Sequence, residues 1–253
     1  MATHSEVVTL PVGEQRISAT FMAPATRWPG VLFVHGWGAS QKSDELRAAS
    51  IAGLGCICLT FDLRGHEETA AQRASVTPED NLRDIVAAYD LLASHPGLDT
   101  DAIAVVGSSY GGYLSAILTT LRPVKWLALH VPALYRDEDW RVPKYQLNRE
   151  DLTRFRQQRL RPDENRALAA CLAFEGDVLI VESEHDAYVP HTTIMNYRAA
   201  FQHSHSLTHR IIDDADHALS TDRSQVAYTS ILVNWVSEMV IGARVAGAAH
   251  WRT

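Results

Sequence analysis

A last strand is predicted over Leu207–Ile212, and before it short apolar runs recur along the chain: Val31–Val34, Cys56–Phe61, Ile103–Val106, Trp126–Val131 and Val178–Ser183. Each is too short for an ordinary helix and is bounded by polar or turn residues, which predicts strands buried on both faces. Between them the spacing changes to a helical period over Ser43–Leu54, Pro78–Ala93, Tyr110 to about Leu121, Asp163–Phe174, Ile194–Phe201 and Asp222–Val240. Ser43 is placed to cap the first of these and Gly55 lies beyond its end. In the second, Leu82, Ile85, Val86 and Tyr89 share one face. At the N-terminus, Glu6–Leu10 and Arg16–Met22 alternate around Gly13 and predict an antiparallel hairpin. Strands alternating with helices predict an α/β fold: a mostly parallel central sheet, helices on both faces, and the hairpin as an antiparallel edge. Residues 1–253 then form a single domain. The pattern breaks down between residues 132 and 162, where Tyr135-Arg136-Asp137-Glu138-Asp139-Trp140 mixes charge with aromatic rings. That stretch is expected to be a short lid or cap insertion.

Composition narrows the function. With 46% hydrophobic and 21% charged residues in 253, the chain is ordinary globular protein, long enough for a sizeable core. A net charge of −7 argues against nucleic acid as a partner. No apolar run approaches a membrane span, so no membrane partner is expected. The opening MATHSEVVTLPVGEQRISAT has neither a basic start nor a continuous apolar stretch, so a secretory leader is not expected. Cys56 and Cys58 fall on one face of a strand and read as buried free thiols. A reduced, cytoplasmic location follows as an expectation.

The chemistry gathers at strand ends, where open α/β sheets place reactive groups. Gly107-x-Ser109-x-Gly111 follows the Ile103–Val106 run and opens a helix, the form of a nucleophile elbow. A serine on so sharp a turn projects its Oγ clear of the sheet, while larger residues two before and two after would meet neighbouring backbone. The other strand ends carry His35-Gly36-Trp37-Gly38, Asp62, Asp186 and, before the closing helix, His217.

These residues resemble the α/β-hydrolase family over nearly the whole chain. GSSYGGY is similar to the elbow of prolyl-oligopeptidase-like and dienelactone-hydrolase-like members, VESEHDAYVP to the acid loop, and DDADHALS to the histidine loop. The resemblance implies that Ser109 is the nucleophile, His217 its base and Asp186 the carboxylate that orients the imidazole, with Glu182 and Glu184 as nearby rivals. It implies that the backbone N–H groups of Trp37 and Tyr110 form the oxyanion hole, and Gly36 beside them is a candidate substrate contact. Leu134, Tyr135 and Trp140 either line an acyl pocket or anchor the lid. One position departs from the pattern: Glu67 stands where many relatives have glycine after Asp-x-Arg-Gly-His, which leaves that loop's backbone open to question. His203, His205 and His209 are spaced like metal ligands but lack a carboxylate or cysteine partner at useful spacing. No metal and no cofactor is expected.

The function that follows is a serine hydrolase cleaving carboxylic esters of small to medium acyl groups through an acyl-enzyme, its partner a small-molecule ester. A short, charged insertion suits a polar approach better than a lipase surface. A prolyl-oligopeptidase-type peptidase ranks second, because that type's N-terminal propeller is missing from these residues. A thioesterase ranks third, and a catalytically silent binding module of the same fold is the non-enzyme alternative. Oligomeric state stays open between monomer and homodimer.

Overall fold

The central apolar runs become strands because both of their faces find a helical layer to bury against. The computed structural model describes the backbone of residues 3–12, 15–24 and 27–250 and the side chains of residues 27–242. Its six-stranded sheet has the order β4-β3-β5-β6-β7-β8, every neighbour parallel. These strands are β3 (Trp28–Val34), β4 (Ile57–Thr60), β5 (Leu98–Ser108), β6 (Trp126–His130), β7 (Asp177–Ser183) and β8 (Ser206–Ile212). Side chains alternate between two cores. Leu32, Val34, Ile103, Val105, Leu127, Leu129, Val178 and Ile180 face one side. Val31, Phe33, Ala104, Val106, Ala128, Leu179 and Val181 face the other. Burying such a side chain is worth roughly 1.5–3 kcal/mol, so the central strands carry much of the fold's stability.

The first face is covered by α2 (Pro78–Ala93), α3 (Tyr110–Leu118), α5 (Arg166–Ala173) and α6 (His191–Ala200). The second is covered by α1 (Lys42–Ala52) and α7 (Asp222–His250), through Ala48 and Ile51 on one and Tyr228, Leu232, Trp235, Val236 and Val240 on the other. Among the described residues, no helix is long and apolar enough to cross a membrane.

Several sequence expectations change. The strands β1 (Thr3–Val12) and β2 (Gln15–Pro24) pair antiparallel in a two-stranded sheet of their own, not as an edge of the central one. The Gly13 turn lies outside the described residues. Helix α1 starts at Lys42 without a side-chain cap. Ser43 Oγ donates to the Ser40 carbonyl (2.6 Å), and Asp62 holds the preceding turn by accepting Gln41 N–H (2.8 Å) and Nε2–H (2.7 Å). Helix α3 stops at Leu118, where Thr119 and Thr120 hydroxyls donate to the Ala116 and Ile117 carbonyls (2.7 and 2.8 Å). The expected helix over Asp163–Phe174 divides into a single 3-10 turn, Pro162–Glu164, and α5. Asn165 makes the break: it is extended, and its Oδ1 accepts Ala167 and Leu168 N–H (3.1 and 3.4 Å) as an N-cap. Its Nδ2 donates to the Tyr135 carbonyl (2.7 Å), tying the cap to the insertion. That insertion contains one longer helix, α4 (Arg149–Arg156), and short 3-10 turns.

Candidate active site

The sheet order reverses direction at β3, whose neighbours are β4 and β5, and the crevice beyond these carboxyl ends is where open α/β sheets bind ligands. Ser109 lies there, between β5 and α3, at φ +51°. A non-glycine residue in this region carries strain of order 1–3 kcal/mol, held in place by what surrounds it. Three hydrogen bonds over-determine the turn. Ser109 N–H donates to the His130 carbonyl (2.9 Å), while the Ser109 carbonyl accepts from Ala133 N–H (3.0 Å) and Tyr113 N–H (3.1 Å). The Tyr110 hydroxyl donates to Asn81 Oδ1 (3.0 Å), locking the start of α3 to α2.

His217, in the loop after β8, points Nε2 at Ser109 Oγ (3.0 Å) and Nδ1 at Asp186 Oδ2 (2.6 Å). The second Asp186 oxygen accepts the N–H groups of Tyr188 (2.7 Å) and Val189 (2.8 Å), so the carboxylate is fixed from both sides. An ionised carboxylate accepts only, which assigns the imidazole proton to Nδ1 and leaves Nε2 free to accept from the serine. The two rival carboxylates are engaged elsewhere. Glu182 pairs with His191 Nδ1 (2.7 Å) and His209 Nε2 (3.1 Å), and Glu184 accepts from Asp214 N–H (2.8 Å).

The loop after β3 lies against the elbow: a Cβ built on Gly36 would stand 3.3 Å from both Ser108 O and Ser109 Cβ. His66 braces this loop, its Nε2 accepting the Gly38 N–H (3.0 Å) while Nδ1 meets the Leu63 carbonyl (3.1 Å). That arrangement needs a neutral ring, and burial together with nearby His35 pulls its pKa below the usual histidine value. Gly38 and Ala39 donate to His66 and to the Gly36 carbonyl, whereas Trp37 N–H has no backbone acceptor among the described residues. Tyr110 is the first helical residue of α3, so its N–H has no partner within the helix. Glu67 resolves the open backbone question: it adopts φ +43°, the left-handed region a glycine would fill without strain.

The expected acyl-pocket residues are placed differently from one another. Leu134 is fully buried and Tyr135 3% exposed, both packed in the main core. Trp140 is half-buried beneath Arg166, whose Cζ lies 4.1 Å from its ring centroid. Tyr188 is 64% exposed beside the relay, its ring 5.2 Å from that of His217. Its position two residues after Asp186 was the available signal. The spaced histidines do not converge: His203 meets the Leu172 carbonyl, His205 pairs with Asp177 and His209 with Glu182.

Behind the elbow, His130 is buried, its ring tilted against that of Tyr228 at 4.5 Å and its Nε2 3.3 Å from Ser183 Oγ. Burial lowers its pKa to about 3, with the nearby His217 and Arg47 charges acting in the same direction. A histidine whose folded pKa lies below its unfolded value stabilises the fold fully above about pH 6.5 and loses that contribution as pH falls toward the folded value. Urea-unfolding midpoints measured from pH 6.5 down to about 3 should therefore drop. His130→Gln should flatten the slope by on the order of 4 kcal/mol across that range. An unchanged slope would mean that another group carries the acid sensitivity.

The profile of the prolyl oligopeptidase family matches residues 42–242. No curated protein sequence matches the chain. Among solved structures, a dienelactone hydrolase from Anabaena variabilis is 20% identical, with a TM-score of 0.59 over 92% of this chain and 96% of its own. The 2,6-dihydroxy-pseudo-oxynicotine hydrolase is 17% identical, with a TM-score of 0.66 over 94% of this chain and 69% of its own. A putative dipeptidyl aminopeptidase IV from Bacteroides ovatus is 19% identical, with a TM-score of 0.60 over 93% of this chain and 36% of its own. Parallel sheet, flanking helices and matched profile agree: the chain belongs to the prolyl oligopeptidase family, on the α/β-hydrolase fold.

Proposed function

We propose that this hydrolase cleaves carboxylic esters of small to medium acyl groups through an acyl-enzyme on Ser109. The observation that carries the reading is the continuous relay from Ser109 Oγ through His217 to Asp186, at 3.0 and 2.6 Å. In the first step Ser109 Oγ attacks the ester carbonyl carbon as its proton passes to His217 Nε2. Asp186 stabilises the imidazolium and holds its orientation. The carbonyl oxygen becomes an oxyanion, which in this reading the N–H groups of Trp37 and Tyr110 receive, each such donor being worth about 10²–10³-fold in rate. Collapse breaks the ester C–O bond, and the alcohol leaves with the proton held on His217. Water then attacks the acyl-enzyme, giving its proton to the same nitrogen, and the acid departs as Ser109 is restored. Residues 132–162 serve as the cap over this site within one catalytic unit.

A second reading, peptide-bond cleavage, is favoured by the family match itself. Amide and ester hydrolysis share the relay and differ in the leaving group, so one panel separates them. Purified protein is expected to turn over p-nitrophenyl acetate and butyrate, to fall off on octanoate, and to react with a fluorophosphonate probe. Prolyl p-nitroanilides should be turned over at least 100-fold more slowly, in line with about 10²-fold losses for an imperfectly positioned bond. A reversed preference would establish the peptidase instead, and neither turnover nor labelling would leave a silent module.

A further inference from the structure

Most sheltered arginines among the described residues face a carboxylate, as Arg64 does Asp84, Arg136 Asp139 and Arg166 Asp137. Arg73 and Lys144 do not. Both are half-buried, and neither has an ion pair or a side-chain hydrogen bond among the described residues. They flank the Trp37 ring instead, Arg73 Cζ 5.2 Å and Lys144 Nζ 5.1 Å from its centroid. Lys144 also stands 5.1 Å from the Tyr135 ring and 5.8 Å from that of Tyr110. The placement is fixed from the backbone. Lys144 N–H donates to the Val76 carbonyl (3.0 Å), docking the insertion on the loop that carries Arg73. A Cβ built on Gly38 would stand 3.3 Å from Arg73 Nη2, so this guanidinium lies against the turn beside Trp37.

The chain does not lack acids to pair with these cations: it holds 30 carboxylate side chains against 23 basic ones. Aromatic faces attract a cation without neutralising it, so both charges remain available to an anion from solution. Their position is specific, because Trp37 belongs to the loop packed on Ser109 and Tyr110 follows Ser109 directly. In a chain of net charge −7, an anionic substrate is repelled at long range and needs a local positive site to be held.

We propose that Lys144 and Arg73 form a subsite for a carboxylate on the substrate, so that the preferred esters are anionic. This rests on the ester-hydrolase reading and names its substrate class. Two matched pairs test it: monomethyl against dimethyl adipate, with the carboxylate on the acyl side, and para-acetoxybenzoate against its methyl ester, with the carboxylate on the alcohol side. In at least one pair the anionic member should have the higher kcat/KM by about tenfold or more, the range of a hydrogen bond to a charged group. That ratio should collapse toward unity in Lys144→Gln and in Arg73→Gln, persist in Lys144→Arg, and fall as salt screens the charges. Lys125→Gln, which removes a cation at the amino end of β6, should leave the ratio unchanged and so controls for net charge. Preference for the neutral member in both pairs would overturn the subsite. So would a ratio unmoved by either glutamine substitution, which would make the two cations anchors of the insertion only. If no ester is turned over and Ser109 is not labelled, the hydrolase reading fails on its own. Calorimetry with glutarate then decides the subsite, and absence of binding to the wild type, or equal binding to Lys144→Gln, overturns it.

Discussion

Ser109→Ala is expected to lower kcat for p-nitrophenyl butyrate by about 10⁴–10⁶-fold and to abolish fluorophosphonate labelling, with circular dichroism and melting temperature near wild type. Losing Oγ removes the proposed nucleophile, whereas the turn around it depends on the main chain. The bonds from Ser109 N–H to His130 and from Tyr113 and Ala133 to the Ser109 carbonyl all survive the substitution. Alanine also keeps the Cβ against which Gly36 packs. His217→Ala should cost a comparable factor, and the double variant little more than either single one, because nucleophile and base act as a unit. Substantially additive losses would mean that the two residues work independently and that the relay is not the reacting group. Labelling that persists in Ser109→Ala would move the nucleophile elsewhere.

How much of this was legible before the structure depends on whether the cause is local. The central strands were legible because each is buried on two faces, which forces a continuous apolar run such as Val31–Val34. The elbow was legible for the same kind of reason: its glycines lie within two residues of the serine they accommodate. Asp186 could be ranked but not separated from Glu182 and Glu184 by spacing alone, since the choice turns on where His191, His209 and the Asp214 amide lie in space. The start of α1 was misjudged because Asp62, some twenty residues on in the chain, holds Gln41 through two hydrogen bonds that no capping rule anticipates. Leu134 and Tyr135 were open to two roles because hydrophobic side chains in a non-periodic insertion fit a pocket wall and a core equally well. The cations on Trp37 left no sequence signal at all, since Arg73 and Lys144 come from segments without periodicity and meet only through tertiary packing.

Gly111→Ala is expected to be strongly disruptive for a single added methyl group. Two effects oppose each other. Replacing glycine by alanine inside a helix gains about 1 kcal/mol of helix propensity. Against this, the added Cβ would stand 2.5 Å from the His35 carbonyl oxygen and closer still to that of Val34. Neither oxygen can retreat cheaply: Val34 closes β3, pairing with Gly107 at the centre of the sheet, and His35 is held through its ring to Leu63 N–H (3.0 Å). The helix must then move away from the sheet, and such overpacking costs typically 1–3 kcal/mol, occasionally more. Steric cost therefore exceeds propensity gain, and the melting temperature should fall. Activity should fall further, because moving α3 moves Ser109 against His217, and a shift of about 1 Å at a reacting group costs on the order of 10²-fold. Gly112→Ala is the matched control: its Cβ would meet the Gly107 carbonyl at 3.1 Å and Pro132 at 3.2 Å, a squeeze a small adjustment can relieve. Fluorophosphonate labelling rates should therefore drop by about 100-fold or more in Gly111→Ala and by much less in Gly112→Ala. Equal behaviour of the two variants would show that the elbow tolerates displacement, and that the approach of α3 to the end of β3 is not what holds the serine in line with its base.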